Sequence, residues 1–144
     1  MSTTQERFAG YCSALKQHGI DFDPSLVYQG DYGHQSGYDG VKQLFQHGTQ
    51  FSAVLASNDM MAFGALRALQ EIGLRVPNEV EVIGCDNIQF CEMVQPPLTT
   101  MRQPLEEMGR IAADTIVTLL SGKKPAERNI RLEATLVRRG STKA

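Results

Sequence analysis

From Phe51 to Cys85 the chain alternates short apolar runs with a helix-length amphipathic segment, and this alternation restricts its fold more than any other feature. Phe51-Ser-Ala-Val-Leu-Ala56 is nearly continuous in apolar character, the form of a strand covered on both faces. Asn58 then suits the N-cap of a helix, and Asp59 sits favourably in its first turn. Leu74-Arg-Val-Pro77 leads into the next strand, Val80-Glu-Val-Ile-Gly-Cys85.

The same reading extends in both directions. A first helix is expected from Gln5 to His18, with Thr3 and Glu6 as a capping box, Phe8, Tyr11, Cys12 and Leu15 on one face, and Gly19 as the stop. Leu26-Val27-Tyr28 reads as a short strand before the turn-rich Gly30-Asp31-Tyr32-Gly33. A second helix would carry Val41, Leu44 and Phe45 inward and end at Gly48. Beyond Asp86-Asn87, a strand from Leu98 to Met101 follows Pro96-Pro97. Pro104 suits N1 of a fourth helix running to Leu120, and a strand or hairpin is expected over 129–138. The fold class expected is α/β, a three-layer αβα arrangement around a mostly parallel sheet.

Composition narrows the function classes. The 144 residues carry 14 Lys plus Arg against 16 Asp plus Glu, a formal net charge of −2. A generically basic nucleic-acid-binding surface is therefore excluded. The apolar runs fall short of a membrane span, and the first residues carry no export signal, so a cytoplasmic location is expected. Cys12, Cys85 and Cys91 lack metal-type spacing and read as reduced thiols. His18, His34 and His47 each lie near the expected end of an element or in a loop, His18 and His47 before glycines as last-turn residues, and no metal site is expected. No phosphate loop, nucleophile elbow or paired nucleophile and base is present, so no catalytic residues and no cofactor are expected.

Polar residues gather where the strands end. In an open parallel sheet, ligands bind beyond the carboxyl ends of the strands. Asp31 and Tyr32, Asn58 and Asp59, and Asp86 and Asn87 follow three successive expected strands, and right-handed crossovers bring those ends to one edge. Carboxylates and amides pair with neighbouring hydroxyl groups, and an aromatic face packs on C–H surface. The set suits a sugar or another small polyhydroxylated ligand. Asp59 is assigned mainly to helix capping.

The helix after Asn58 has a second message. Ala62, Ala65, Leu66, Leu69 and Ile72 make its inward face, while Met60 and Phe63 point away beside Arg67 and Gln70. Large apolar residues on a polar face imply cover from a partner, and an isologous homodimer is the simplest form.

Several longer stretches, in order, resemble the LacI/GalR family of bacterial transcription regulators. They are Phe51-Ser-Ala-Val-Leu-Ala-Ser-Asn-Asp-Met-Met-Ala-Phe-Gly-Ala-Leu-Arg-Ala-Leu, Gly73-Leu-Arg-Val-Pro77, Val82-Ile-Gly-Cys-Asp86, Pro96-Pro-Leu-Thr-Thr-Met-Arg-Gln-Pro104 and Leu136-Val-Arg-Arg-Gly-Ser-Thr142. The resemblance spans essentially the whole chain. It implies the C-terminal portion of an effector-binding and dimerisation domain, one incomplete lobe of a periplasmic-binding-protein-like type I fold. The DNA-binding headpiece, most of the first lobe and the second lobe's leading strand have no counterpart here, and residues 103–122 would cross to the missing lobe. An unpaired sheet edge is the expected consequence.

By this resemblance the ligand contacts are Arg7, Tyr32, Asn58, Asp86 and Gln103, and the dimer surface adds Met93 and Val94 to Met60, Phe63 and Arg67. The effector would be a sugar or sugar derivative, and operator DNA would be reached only through the absent headpiece. The family's usual Gly-Phe/Tyr-Asp-Asp is Gly84-Cys85-Asp86-Asn87 here, which removes an aromatic ring and one carboxylate from the site. A fragment of a sugar-binding transport protein of the same fold is the alternative; a small enzyme is disfavoured by the missing catalytic parts.

Overall fold

Four strands form one sheet in chain order: β1 (Ala53–Leu55), β2 (Glu81–Asp86), β3 (Thr99–Arg102) and β4 (Thr135–Val137). The first three run parallel, with Val54 opposite Val82 and Ile83 opposite Thr99, and β4 returns antiparallel to β3. The computed structural model describes residues 3–127 and 129–143. The expected α/β class, with a mostly parallel sheet, is what the chain adopts.

Helix α3 (Asp59–Ile72) holds the core together. The Asn58 side chain accepts a hydrogen bond from the Met61 amide, and Gly73, at φ 88°, closes the other end in the left-handed region. The apolar stripe read from the sequence is buried: Ala62, Ala65, Leu66 and Leu69 lie against Val80, Val82 and Leu98. Helix α2 (His34–Gln46) packs on α3 with no side chain between the two backbones at the crossing. A Cβ on Gly64 would strike the His34 carbonyl and lie 2.7 Å from the Tyr38 nitrogen, and one on Gly37 would strike the Met61 carbonyl.

The C-terminal segment also enters the sheet. Fully buried Ser141 takes the Val82 amide on its carbonyl at 2.9 Å. Its hydroxyl donates to the Val82 carbonyl at 2.6 Å and accepts from the Thr99 amide at 2.8 Å. Ser141 thus bridges β2 and β3 at their N-terminal ends, satisfying polar groups that burial would otherwise leave unpaired.

Some expectations are corrected. Leu26–Tyr28 is not a strand: Pro24–Leu26 is a 3-10 turn capped by Asp23, and Val27 follows in extended but unpaired form. A strand needs a neighbour, and among the described residues β1 pairs only with β2. The outer edge of β1 is therefore open, and Leu55 is 59% exposed. Phe45 is exposed rather than inward. Thr3 is already helical in α1 (Thr3–Gln17), so a cap for that helix lies outside the described residues. Pro104 is the N-cap of α4 (Leu105–Leu120) rather than its first residue. Neither α1 nor α4 contributes a buried residue; on α4, Leu105, Met108, Ile116, Val117, Leu119 and Leu120 all face outward.

Two glycine-to-alanine substitutions should separate contact from conformation. Gly64→Ala forces the α2–α3 backbones apart and is expected to cost about 3 kcal/mol. Gly73→Ala meets open space and should cost only about 1 kcal/mol, the left-handed strain of a residue with a Cβ. Urea denaturation of both variants measures the difference, and equal losses would contradict the close crossing.

Candidate functional site

Parallel strands that succeed one another in both sequence and space release their chains at the same edge, and three turns converge there. Tyr32 precedes α2, Asn58 caps α3 after β1, and Asp86 ends β2. Two further side chains reach the same rim, Arg7 from α1 and Gln103 from the segment between β3 and α4.

These five residues form two bonded groups, Arg7, Asp86 and Gln103 in one and Tyr32 and Asn58 in the other, which meet where Arg7 reaches the Ser57 carbonyl next to Asn58. The Gln103 side-chain amide donates to Asp86 Oδ1 at 2.5 Å, and Arg7 Nη2 lies 3.6 Å from the same oxygen. The other Arg7 nitrogen, Nη1, donates to the Ser57 carbonyl. Asn58 donates from Nδ2 to the Tyr32 carbonyl at 2.9 Å while its Oδ1 serves as the helix cap. The Tyr32 hydroxyl lies 2.6 Å from Thr4 Oγ1. The Arg7 and Asp86 side chains are 28% and 30% exposed, so both are positioned by partners yet open to a ligand.

The backbone here is unusual. The only non-glycine residues with positive φ among those described are Tyr32 at 68°, Asp86 at 131° and Asn87 at 60°. Each belongs to the rim. Such conformations cost of order 1–3 kcal/mol each and persist only where the surroundings hold them.

Other expected rim residues have different tasks. Asp31 is spent on its own turn, accepting from the Gly33 amide at 2.8 Å. The Ser36 hydroxyl and the Gly33 amide hold its carboxyl below the usual range. Asp59, expected to cap α3, does not do so. Its fully buried carboxylate accepts from Thr100 Oγ1 at 2.5 Å, the Ile88 amide at 2.9 Å and Cys91 Sγ at 3.1 Å. Asn58 supplies the cap, leaving Asp59 to tie the helix start to distant segments. Thr4, Ser57 and Arg139 were not singled out from sequence; each contributes through contacts more than 25 residues away, beyond any local pattern.

A cavity of about 610 Å³ lies elsewhere, between the Asp23–Tyr28 segment and residues 43–50. It opens where Gln50 leads into β1, at the far end of that strand from Asn58, and its one carboxylate, Asp23, already accepts the Ser25 amide. The cavity lining is polar but has no Arg or Lys, whereas the rim sets a guanidinium and an amide on a part-exposed carboxylate, so the rim is the candidate site. Among the described residues, no group of three or more His, Cys, Asp or Glu could hold a metal ion. No helix among them is long and apolar enough to cross a membrane.

A second patch forms around the exposed side of α3 and the 3-10 turn Gln89–Glu92. Met60, Phe90 and Met93 are exposed, Met93 by 75%. Arg67 reaches outward and pairs with Glu71 at 3.1 Å. Phe63, expected to point away from the core, and Val94, expected in the dimer surface, are half-buried and pack partly against the core. Phe90 joins the patch without having been expected, because a 3-10 turn has no helical periodicity to display.

Comparison with known proteins gives a consistent picture. The sequence family described as a periplasmic binding protein-like domain matches residues 1–142. The ribose operon repressor of Escherichia coli (strain K12) is 34% identical over 135 residues, 94% of this chain and 41% of that protein. The crystal structure of the Escherichia coli transcriptional repressor ascG superposes with a TM-score of 0.90 at 38% identity, covering 100% of this chain and 52% of that one. A structure of the transcriptional regulator CelR in complex with cellobiose also gives a TM-score of 0.90, at 37% identity over 94% of this chain and 42% of the other. The chain thus spans about two fifths of the length of the curated relatives it matches.

Thiol chemistry tests the buried Asp59 cluster. Burial, then the hydrogen bond to Asp59 and its charge, push the Cys91 thiol up to about 12. Burial also raises Cys85. At pH 8 only about one Cys91 in ten thousand is thiolate. Ellman's reagent should therefore label half-buried Cys12 readily and leave Cys91 untouched until denaturant is added. Rapid labelling of Cys91 in the folded chain would contradict the cluster.

Proposed function

Since the chain belongs to the periplasmic-binding-protein-like domain family, in the branch formed by LacI/GalR-type transcription regulators, we propose that it is the effector-binding and dimerisation portion of such a regulator. The observation that carries this reading is the rim built by two adjoining groups, Arg7, Asp86 and Gln103 beside Tyr32 and Asn58. Its part-exposed carboxylate, guanidinium and amides match the alternating donors and acceptors of a polyol, and the Tyr32 ring offers a face for C–H surface. A sugar or sugar derivative is the effector, as the cellobiose held by CelR supports. No catalytic role is assigned to the rim.

The outward apolar side chains of α4 support a second lobe, outside this chain, that would cover them and close over the rim. Ligand binding would then bias lobe closure and, through a headpiece also outside this chain, operator binding in the cytoplasm. A second copy would pair across Met60, Phe63, Arg67, Met93 and Val94.

With only one wall of the cleft, affinity should be weak. Calorimetry with D-ribose or cellobiose is expected to give no binding tighter than about millimolar. At tens of millimolar sugar, backbone amide shifts should change at Tyr32, Asn58 and Asp86, and Asp86→Ala should abolish the response. In a longer, two-lobed form Asp86→Ala is expected to cost about 1.5–3 kcal/mol of binding. Micromolar affinity in this chain would defeat the one-wall argument, and shifts confined elsewhere would remove the rim.

Sedimentation equilibrium checks the pairing surface. The chain should dimerise, and both Phe63→Asp and Met93→Asp should yield monomers. Met93 is exposed, so its substitution leaves the fold intact. A monomeric unsubstituted chain would refute the surface.

A further inference from the structure

We infer that Arg139 is the positioning residue of the rim, fixing the turn that aims the Asp86 carboxylate. The inference rests on the reading of the rim as an effector site. Asp86 and Asn87 stand consecutively at positive φ, 131° and 60°, a pairing that L-residues do not hold unaided. Something must fix the turn from outside.

Arg139 reaches it from the far end of the chain. Its side chain is only 11% exposed. Nη2 donates to Asn87 Oδ1 at 2.9 Å and to Glu92 Oε1 at 3.0 Å, while Nη1 donates to the Leu98 carbonyl at 3.0 Å. Its own backbone amide is anchored on Thr99 Oγ1 at 2.9 Å. One guanidinium therefore joins the turn after β2, the Gln89–Glu92 segment and the approach to β3. This requires a planar fork with separate donors, and a lysine ammonium on a flexible stem does not reproduce it. Other contacts meet the turn at different atoms: the Asn87 amide donates to Thr100 Oγ1 at 3.3 Å, the Ile88 amide to Asp59 Oδ2 at 2.9 Å, and Gln103 and Arg7 meet the Asp86 carboxylate, which leaves the Asn87 side chain to Arg139.

The same contacts connect the rim to the patch around Met93. Glu92 lies in the 3-10 turn that exposes Phe90, immediately before Met93, so Arg139 touches both the turn that carries Asp86 and the edge of the proposed pairing surface.

Amide hydrogen exchange of the full chain tests this directly and without ligand. The Asn87 and Ile88 amides report the turn, through their bonds to Thr100 and Asp59. Arg139→Met should speed their exchange about tenfold, with α3 unchanged. Arg139→Lys should behave like Arg139→Met, and it keeps a cation at the site should the methionine variant fail to fold. Adding Asn87→Gly to either variant relieves the positive φ and should restore at least a third of the lost protection. A role confined to anchoring the C-terminal segment predicts instead a uniform rise across β3 and β4 and no recovery with glycine. That pattern, or unchanged exchange at Asn87 and Ile88, would overturn the inference. Because no sugar is used, failure of the effector reading would appear only in the sugar titrations and leave this result standing.

Discussion

A buried carboxylate is the constraint on which the other parts depend. Asp59 opens α3 with no exposed surface, yet its oxygens are met by Thr100, Ile88 and Cys91, from β3 and the segment after β2. A charge removed from water is tolerable only when its hydrogen-bonding capacity is filled, and losing one partner typically costs several kcal/mol. The start of the central helix is thereby locked to the two strands whose ends form the rim. It also explains Gly84: a Cβ there would strike Asp59 Oδ1, so the strand passes the carboxylate only with a hydrogen side chain.

How much of this could be read in the letters follows from the range of each interaction. The α3 stripe and its Asn58 cap are local patterns, and both are present as expected. So is the convergence of Asn58 and Asp86, because parallel strands joined by helices leave little choice of edge. Tyr32 joins them with no strand before it, through the hydrogen bond its carbonyl accepts from Asn58. Leu26–Tyr28 failed as a strand because an apolar run needs a neighbouring strand, which local composition does not reveal. Asp59 was misread as a cap because its partners lie 29 to 41 residues away. Arg139 and Ser141 were legible only as letters shared with a family; their work lies in contacts across 40 residues or more.

The rim illustrates how strain and recognition go together. Its three left-handed residues would relax if left alone, and each is tied by a contact from another element: Thr4 and Asn58 at Tyr32, Gln103 and Arg7 at Asp86, Arg139 at Asn87. A side chain already held in place gives up little entropy when a ligand arrives.

The bare crossing of α2 and α3 at Gly37 and Gly64 has a further consequence. With backbone against backbone, neither helix tilts or slides without dragging the other, so the pair moves as a single lever with Tyr32 and Asn58 side by side at the same tip. Divergence in ligand taste among chains built this way must therefore arise by exchanging side chains at that tip, since the shaft itself leaves no room to be re-angled.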